Sequence, residues 1–143
     1  MTLVVMDVSV AAKWFLAGDR ETLADHAFAL LDKYDKGEVR FVVPDLFWAE
    51  FANVIWKAIR QSRLSEAAGE DALAALMERD FPSVPSLKLL GSALKIATAF
   101  ERTVYDSLYV ALAVQTNSQL ITADERLANS LAAHFPVKWL GSI

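Results

Sequence analysis

Four carboxylates in this chain stand where a reaction centre can be built from them. Asp7 closes the apolar run "VVMDVSV", Glu50 lies in "DLFWAEFANV", Asp106 in "TVYDSLYVALA" and Asp124 in "QLITADERLA". Such side chains supply oxygen donors only, and bare carboxylates crowd badly. Two of them about 4 Å apart repel by about 4 kcal/mol at an effective dielectric near 20. A converging set therefore raises some of its own pKa values or takes up a cation. Donors of this kind select a hard ion such as Mg²⁺ or Mn²⁺. An ion held on carboxylates with open positions suits the hydrolysis of a phosphate ester.

Each acid also has a purely structural reading. Asp7 can serve a turn, bonding to the region of Ser9 where a helix starts. Asp124, between a strand and "ERLANSL", can be a helix N-cap. Thr103 three residues before Asp106 comes close to a capping box. Glu50 shares a helical stripe with Asn53 and Lys57, the pattern of a solvated face. Singly, these ordinary roles are the commoner ones. Their joint placement argues otherwise, because ligands of open parallel sheets bind outside the carboxyl ends of the strands. Asp7 and Asp124 fall at two such ends, Glu50 in the first two turns of a helix leaving a third, and Asp106 in the first turn of another helix. Lys13, Lys57 and Arg126 are near in sequence, but no basic cluster matches the acidic one.

The elements that must position these residues alternate along the chain. Short β-branched runs occur at Leu3–Met6, Phe41–Val43, Gln119–Thr122 and Val137–Leu140. Helical spacing fills the stretches between. A helix starts over Val10 to Phe15. Leu23, Ala27, Leu30, Leu31 and Tyr34 form one apolar face. Phe47, Phe51, Val54, Ile55, Ala58 and Ile59 form another, with Pro44 at a first helical position. Further helices are expected from Ser65 and Glu66 toward Met77, and over Ser86 to Phe100, Thr103 to Gln115 and Asp124 to Ala133. "DFPSVPS" reads as a break too brief for a domain linker. Strands separated by helices imply an α/β fold, one domain over 1–143, with a mainly parallel central sheet of four or five strands flanked by helices.

Composition narrows the function. The 143 residues are 55% hydrophobic and 22% charged, more apolar than a domain of this size needs for its core. The excess suggests a partner surface, and Trp14, Phe15 and Leu16, close in sequence to Asp7, are expected to line a groove that a partner occupies. A formal charge of −4 provides no global attraction for nucleic acid. The absence of cysteine excludes thiolate nucleophiles, disulfides and zinc–thiolate centres. His26 and His134 have no triad-like setting, and the five glycines form no phosphate loop. The opening segment lacks a basic region, Asp7 interrupts its apolar stretch, and no run is long enough to span a bilayer; a cytoplasmic protein is expected.

The segments "VVMDVSVAAKWFL", "VVPDLFWAEFANVIWK", "TVYDSLYVALA" and "LITADERLA" closely resemble the PIN domain, particularly toxins of the VapC kind. The resemblance covers nearly the whole chain and keeps the order D-x-S, E-x-x-N, Y-D, T-x-D. It implies that Asp7, Glu50, Asp106 and Asp124 form an acidic metal site, with Ser9, Asn53 and Thr122 at supporting polar positions. It implies Mg²⁺- or Mn²⁺-dependent cleavage of RNA, a small antitoxin that covers the site, and a homodimer. One departure stands out: Glu125 and Arg126 occupy the place where many relatives carry a further aspartate, which leaves a second metal position without that ligand. Three other readings compete. A signalling receiver domain wants adjacent acids after the first strand and a lysine at a later strand end, and "MDVSV" and "LITAD" supply neither. A non-catalytic interaction module would have no need of the intact acidic set, and a haloacid-dehalogenase-type phosphatase would want an aspartate in place of Ser9.

Overall fold

The computed structural model describes residues 1–16 and 22–143. The first apolar run forms β1 (Thr2–Met6), and Val5 and Met6 on it are fully buried, as a central parallel strand covered on both faces requires. It pairs with β2 (Val39–Pro44), Val4 opposite Phe41, and on its other side with β4 (Gln119–Thr122), Val5 opposite Leu120. The edges are β3 (Ser83–Val84) beside β2 and β5 (Val137–Trp139) beside β4. Among the described residues the sheet has five strands in the order β3-β2-β1-β4-β5, with every pairing parallel. From β1 the chain turns to β2 on one side and reaches β4 on the other. The switch point of the topology, where such sheets bind ligands, therefore lies between β1 and β4.

Two features of the sheet differ from expectation. Pro44 is the last residue of β2, opposite Val84, and the helix after it starts only at Leu46. A strand end suits proline because no ladder hydrogen bond needs its missing N–H. "DFPSVPS" is not merely a break, since it contains β3. This edge strand joins the sheet through carbonyls: Val43 N–H donates to Pro82 at 3.1 Å and Asp45 N–H to Val84 at 2.9 Å. Two residues bounded by prolines carry too little periodicity to announce a strand.

Among the described residues seven α-helices cover the sheet: α1 (Val8–Ala12), α2 (Ala24–Asp35), α3 (Leu46–Arg60), α4 (Glu66–Glu78), α5 (Leu90–Phe100), α6 (Val104–Gln115) and α7 (Glu125–Leu131). The expected helix from Ser86 begins instead with a 3₁₀ turn over Ser86–Lys88, and α7 stops at Leu131. Of all these helices α6 is the most enclosed. Ser107 through Ala113 are buried on every side, because the helix lies between the sheet and α5.

Trp14, Phe15 and Leu16 do not line a groove. The helix α1 ends at Ala12, and the chain turns inward directly after it. Trp14 is buried, its indole N–H donating to the Ala27 carbonyl at 2.9 Å and its ring set against Phe41 at 5.9 Å. Leu16 is buried in a small cluster with Ala12 and Ala58, and half-buried Phe15 meets Phe51 edge-on at 5.5 Å. The apolar excess emerges elsewhere, at exposed Trp56, Leu87, Leu94 and Tyr105.

Beneath β2 and β3 an aromatic cluster closes the core. Phe81 packs against Phe41 and Tyr34 at 5.4 Å each and stacks on Trp48 at 6.0 Å. Phe81 is only 3% exposed although it adjoins the short edge strand. Phe81→Ala is expected to cost about 3–5 kcal/mol in urea unfolding, the range for emptying a buried aromatic position. A loss below about 1 kcal/mol would mean that this edge of the sheet is not part of the cooperative core.

Candidate active site

The carboxyl ends of β1 and β4 bring Asp7 and Thr122 together. Asp7 follows Met6 in extended backbone and stands at the N-cap of α1, yet its side chain makes no capping bond to that helix. Oδ2 accepts instead from the Thr122 hydroxyl at 2.8 Å and the Ser9 hydroxyl at 2.9 Å. Both hydroxyls also accept: Ser9 Oγ takes the Ala123 N–H and Thr122 Oγ1 the Asp124 N–H, each at 3.0 Å. Ser9 and Thr122 thus tie Asp7 to the loop that carries Asp124. The bond within the turn, from Ser9, is present, but the cross-strand bond from Thr122 is what orients Asp7 toward the switch point.

Glu50 comes from the second turn of α3 and is half-buried. Its Oε1 accepts from the hydroxyl of Tyr109 at 2.5 Å. Tyr109 is 2% exposed. Burial, followed by the charges of Asp7 and Glu50, pushes its phenol far above the ordinary range, so the hydroxyl remains a donor. Sequence reasoning passed over Tyr109, although it lies three residues after Asp106 and hence on the same face of α6.

Asp106 does not cap its helix with its side chain. Thr103 does so, its hydroxyl accepting the Asp106 N–H at 3.1 Å. The Asp106 carboxylate faces Arg102, 3.7 Å from Nη2. Asp124 divides its two oxygens: Oδ1 caps α7 by accepting the Leu127 N–H at 3.1 Å, and Oδ2 lies 3.9 Å from the same guanidinium. Arg102 also escaped sequence reasoning, which weighed only Lys13, Lys57 and Arg126 as nearby cations. The i, i+4 spacing from Arg102 to Asp106 was the signal.

Electrostatics shows that the acids share one space. Burial raises the Asp7 carboxyl above its ordinary 3.8, and the charge of Asp106 adds to this against the bonds from Thr122 and Ser9. Burial likewise raises Glu50 above 4.5, with Asp7 and Asp106 contributing and the Tyr109 bond opposing. Asp106 is raised by burial and by Asp124, and lowered by Arg102. Among the described residues, however, no three carboxylate or imidazole side chains form a ready-made cluster that could hold an ion. The donor chemistry fits a hard cation, since every candidate ligand is a carboxylate oxygen that pays for its neighbours' charge. The side chains as they stand form an open cradle, not a closed cage.

Beside Glu50 runs a groove of about 490 Å³, bordered by Val8, Leu46, Asn53, Lys57 and Tyr105. Asn53 is exposed there, one turn beyond Glu50, and among the described residues it makes no hydrogen bond to the acids. A larger cavity of about 820 Å³ opens at the other end of the sheet, beside Thr2, Leu3 and Gln119. It has no carboxylate in its lining and lies at the amino ends of the strands, so it is not the site.

Two outcomes test this geometry. Thr122→Val removes a fully buried hydroxyl while keeping its shape, leaving the Asp124 N–H without that acceptor and Oδ2 of Asp7 with only the Ser9 donor. It is expected to cost about 1–3 kcal/mol in urea unfolding; Thr122→Ser, which keeps the hydroxyl, should lose less. The second test follows from linkage. Asp7, Glu50 and Asp106 hold protons more tightly in the native state than in the unfolded chain, so stability is greatest below the unfolded carboxylate range and falls as pH rises through the raised native values. In EDTA the wild type should lose stability from about pH 4 upward, and Asp106→Asn should show a shallower loss. A wild type that gains stability over this interval would show that these three carboxyls do not hold protons more tightly in the native state.

Comparison with known proteins identifies the family and the fold. Residues 4–130 match the family model of the PIN domain. Over 131 residues, 90% of this chain and 95% of the relative, the chain is 29% identical to a Pyrobaculum aerophilum protein named ribonuclease VapC3. Among solved structures, PAE2754 from Pyrobaculum aerophilum aligns with a TM-score of 0.70 at 20% identity, over 99% of this chain and 91% of the other. A toxin–antitoxin complex from Klebsiella pneumoniae contributes a chain that aligns with a TM-score of 0.61 at 15% identity, over 94% and 95%. At such identities the two structures speak for the fold. The family match, which spans β1 through nearly all of α7 and includes all four acids, makes this chain a member of the PIN domain family.

Proposed function

We propose that this protein is a metal-dependent endoribonuclease of the VapC kind, the toxin of a toxin–antitoxin pair. What supports the reading is that Asp7, Glu50, Asp106 and Asp124 all stand at the carboxyl edge of a parallel sheet, in a chain of the PIN family with a relative named as a ribonuclease. These four side chains would hold Mg²⁺ or Mn²⁺. A bound ion of that type supplies positive charge to the phosphoryl oxygens and a water of lowered pKa.

The chain's own residues set the geometry. Ser9 and Thr122 fix the orientation of Asp7, and Tyr109 fixes that of Glu50. No imidazole is at hand to take a proton from a ribose 2′-hydroxyl: His26 lies on α2, and His134 sits against Phe100 at 5.1 Å. Water is therefore the nucleophile, and the 2′-hydroxyl is a spectator. In the adjoining groove Tyr105, 62% exposed, offers a stacking face to an unpaired base, and Lys57 offers a charge to the backbone. With a net charge of −4, recognition rests on such local features.

A small antitoxin partner and a homodimeric assembly belong to the same reading, and the alignment with a chain from a toxin–antitoxin complex supports the former. Among the described residues no helix is long and apolar enough to cross a membrane.

Cleavage of a single-stranded RNA in Mg²⁺ is expected to leave 5′-phosphate and 3′-hydroxyl ends, read by end-labelling. Excess EDTA should abolish it, and Asp7→Asn should reduce it by more than about a hundredfold, beyond what loss of a residue supporting a ligand costs. Cyclic 2′,3′-phosphate ends, or cleavage that persists in EDTA, would refute the mechanism.

A further inference from the structure

Arg102 is held in an unusual place. It belongs to the three-residue connection between α5 and α6, where Glu101 takes a left-handed conformation (φ 55°) and Thr103 caps α6. The backbone is thus fixed, and the long side chain reaches over the acidic edge. Its Nη2 lies 3.7 Å from Oδ2 of Asp106 and 3.9 Å from Oδ2 of Asp124, and the side chain is 23% exposed. Both distances exceed a hydrogen bond, so charge and not directed bonding keeps the guanidinium there. The Asp124 oxygen concerned is the one not engaged in capping α7.

As a permanent clamp this arrangement does little. Partly exposed ion pairs without hydrogen bonds add little stability. The same charge also opposes any cation that approaches Asp106 and Asp124, and it stands where the open cradle would have to close. A guanidinium is better matched to a phosphodiester, whose non-bridging oxygens accept two parallel charge-assisted bonds.

We propose that Arg102 is a substrate-binding catalytic residue: it rests on Asp106 and Asp124 in the metal-free protein, and once those carboxylates are taken by a divalent ion it turns to the non-bridging oxygens of the scissile phosphate. This rests on the ribonuclease reading above. The exchange separates two effects that a structural clamp would join. Removing the charge strengthens the hold on the ion and weakens the hold on the RNA.

The test uses the full chain, with Arg102→Gln and Arg102→Lys beside the wild type. Mn²⁺ binding is measured by calorimetry without RNA, and cleavage of a single-stranded RNA is followed at saturating Mn²⁺. Arg102→Gln is expected to bind Mn²⁺ roughly fivefold tighter, the scale of one unit charge removed from a few ångströms away in a wet site. Its kcat/KM should fall about tenfold or more, the loss of a charge-assisted pair. Arg102→Lys should keep wild-type Mn²⁺ affinity, since the charge remains, and still lose several-fold in kcat/KM because the fork is gone. Unchanged or weaker Mn²⁺ binding by Arg102→Gln overturns the inference, as does unchanged kcat/KM in either variant. Should Arg102→Gln fail to fold, Arg102→Lys alone decides through its kcat/KM. A wild type that takes up no Mn²⁺ or cleaves no RNA overturns the ribonuclease reading itself, and Arg102's role with it.

Discussion

Burial of carboxylates at the carboxyl edge of a parallel sheet sets the terms for the rest of this molecule. Burial raises the carboxyls of Asp7, Glu50 and Asp106, neighbouring acids add to the rise, and the fold loses stability where these groups ionise. Each of the four is held by a different device. Asp7 has two hydroxyls on one oxygen, Glu50 a buried phenol, Asp106 a guanidinium, and Asp124 the first turn of α7. No two of these devices come from the same pair of elements, so the acids are positioned by several parts of the scaffold at once.

That scaffold has to be stiff where the acids attach. The strand β1 is buried on both faces and ends one residue before Asp7. The helix α6 is wrapped by the sheet and α5, and from this enclosed helix come both Asp106, near its accessible start, and Tyr109, buried one turn on. A phenol that is 2% exposed cannot swing away from Glu50 without opening the core. Rigid elements hold a reactive geometry better than loops do, and here three of the four acids lie within one turn of a strand end or a helix start.

How much of this was legible in the sequence depended on the range of the interaction. The central strands were plain from β-branched runs, and the apolar face of α3 from Phe47, Phe51, Ile55 and Ala58, which are all buried. The candidate acids could be picked out because Asp7, Asp106 and Asp124 sit at boundaries between elements and Glu50 lies in the second turn of the helix that follows β2. What escaped was set by tertiary contact. Two residues between prolines become β3 only because β2 lies alongside to accept pairing. Trp14 and Leu16 enter the core because the chain turns at Lys13, which no periodicity announces. Tyr109 and Arg102 read as ordinary members of a helix and its approach, since their partners lie on α3 and at the start of α7, far along the chain.

At Asp124 a structural role and an oxygen left facing the candidate site occur together in one side chain. A carboxylate has two oxygens, and Asp124 uses one to cap α7 while the other faces Arg102 and the site. Capping fixes the side-chain torsions and so aims the second oxygen, at no cost beyond a bond the helix needs anyway. Thr122 repeats the economy: its hydroxyl accepts the Asp124 N–H and donates to Asp7, completing a turn and orienting an acid with one group. At Asp106 the labour is divided, with Thr103 taking the capping bond and leaving both carboxylate oxygens for other partners. Where a cap and a ligand compete as explanations, the test is therefore which oxygen each role uses. The residue type cannot decide it, and in this fold the edge of the sheet gives both roles to the same side chains.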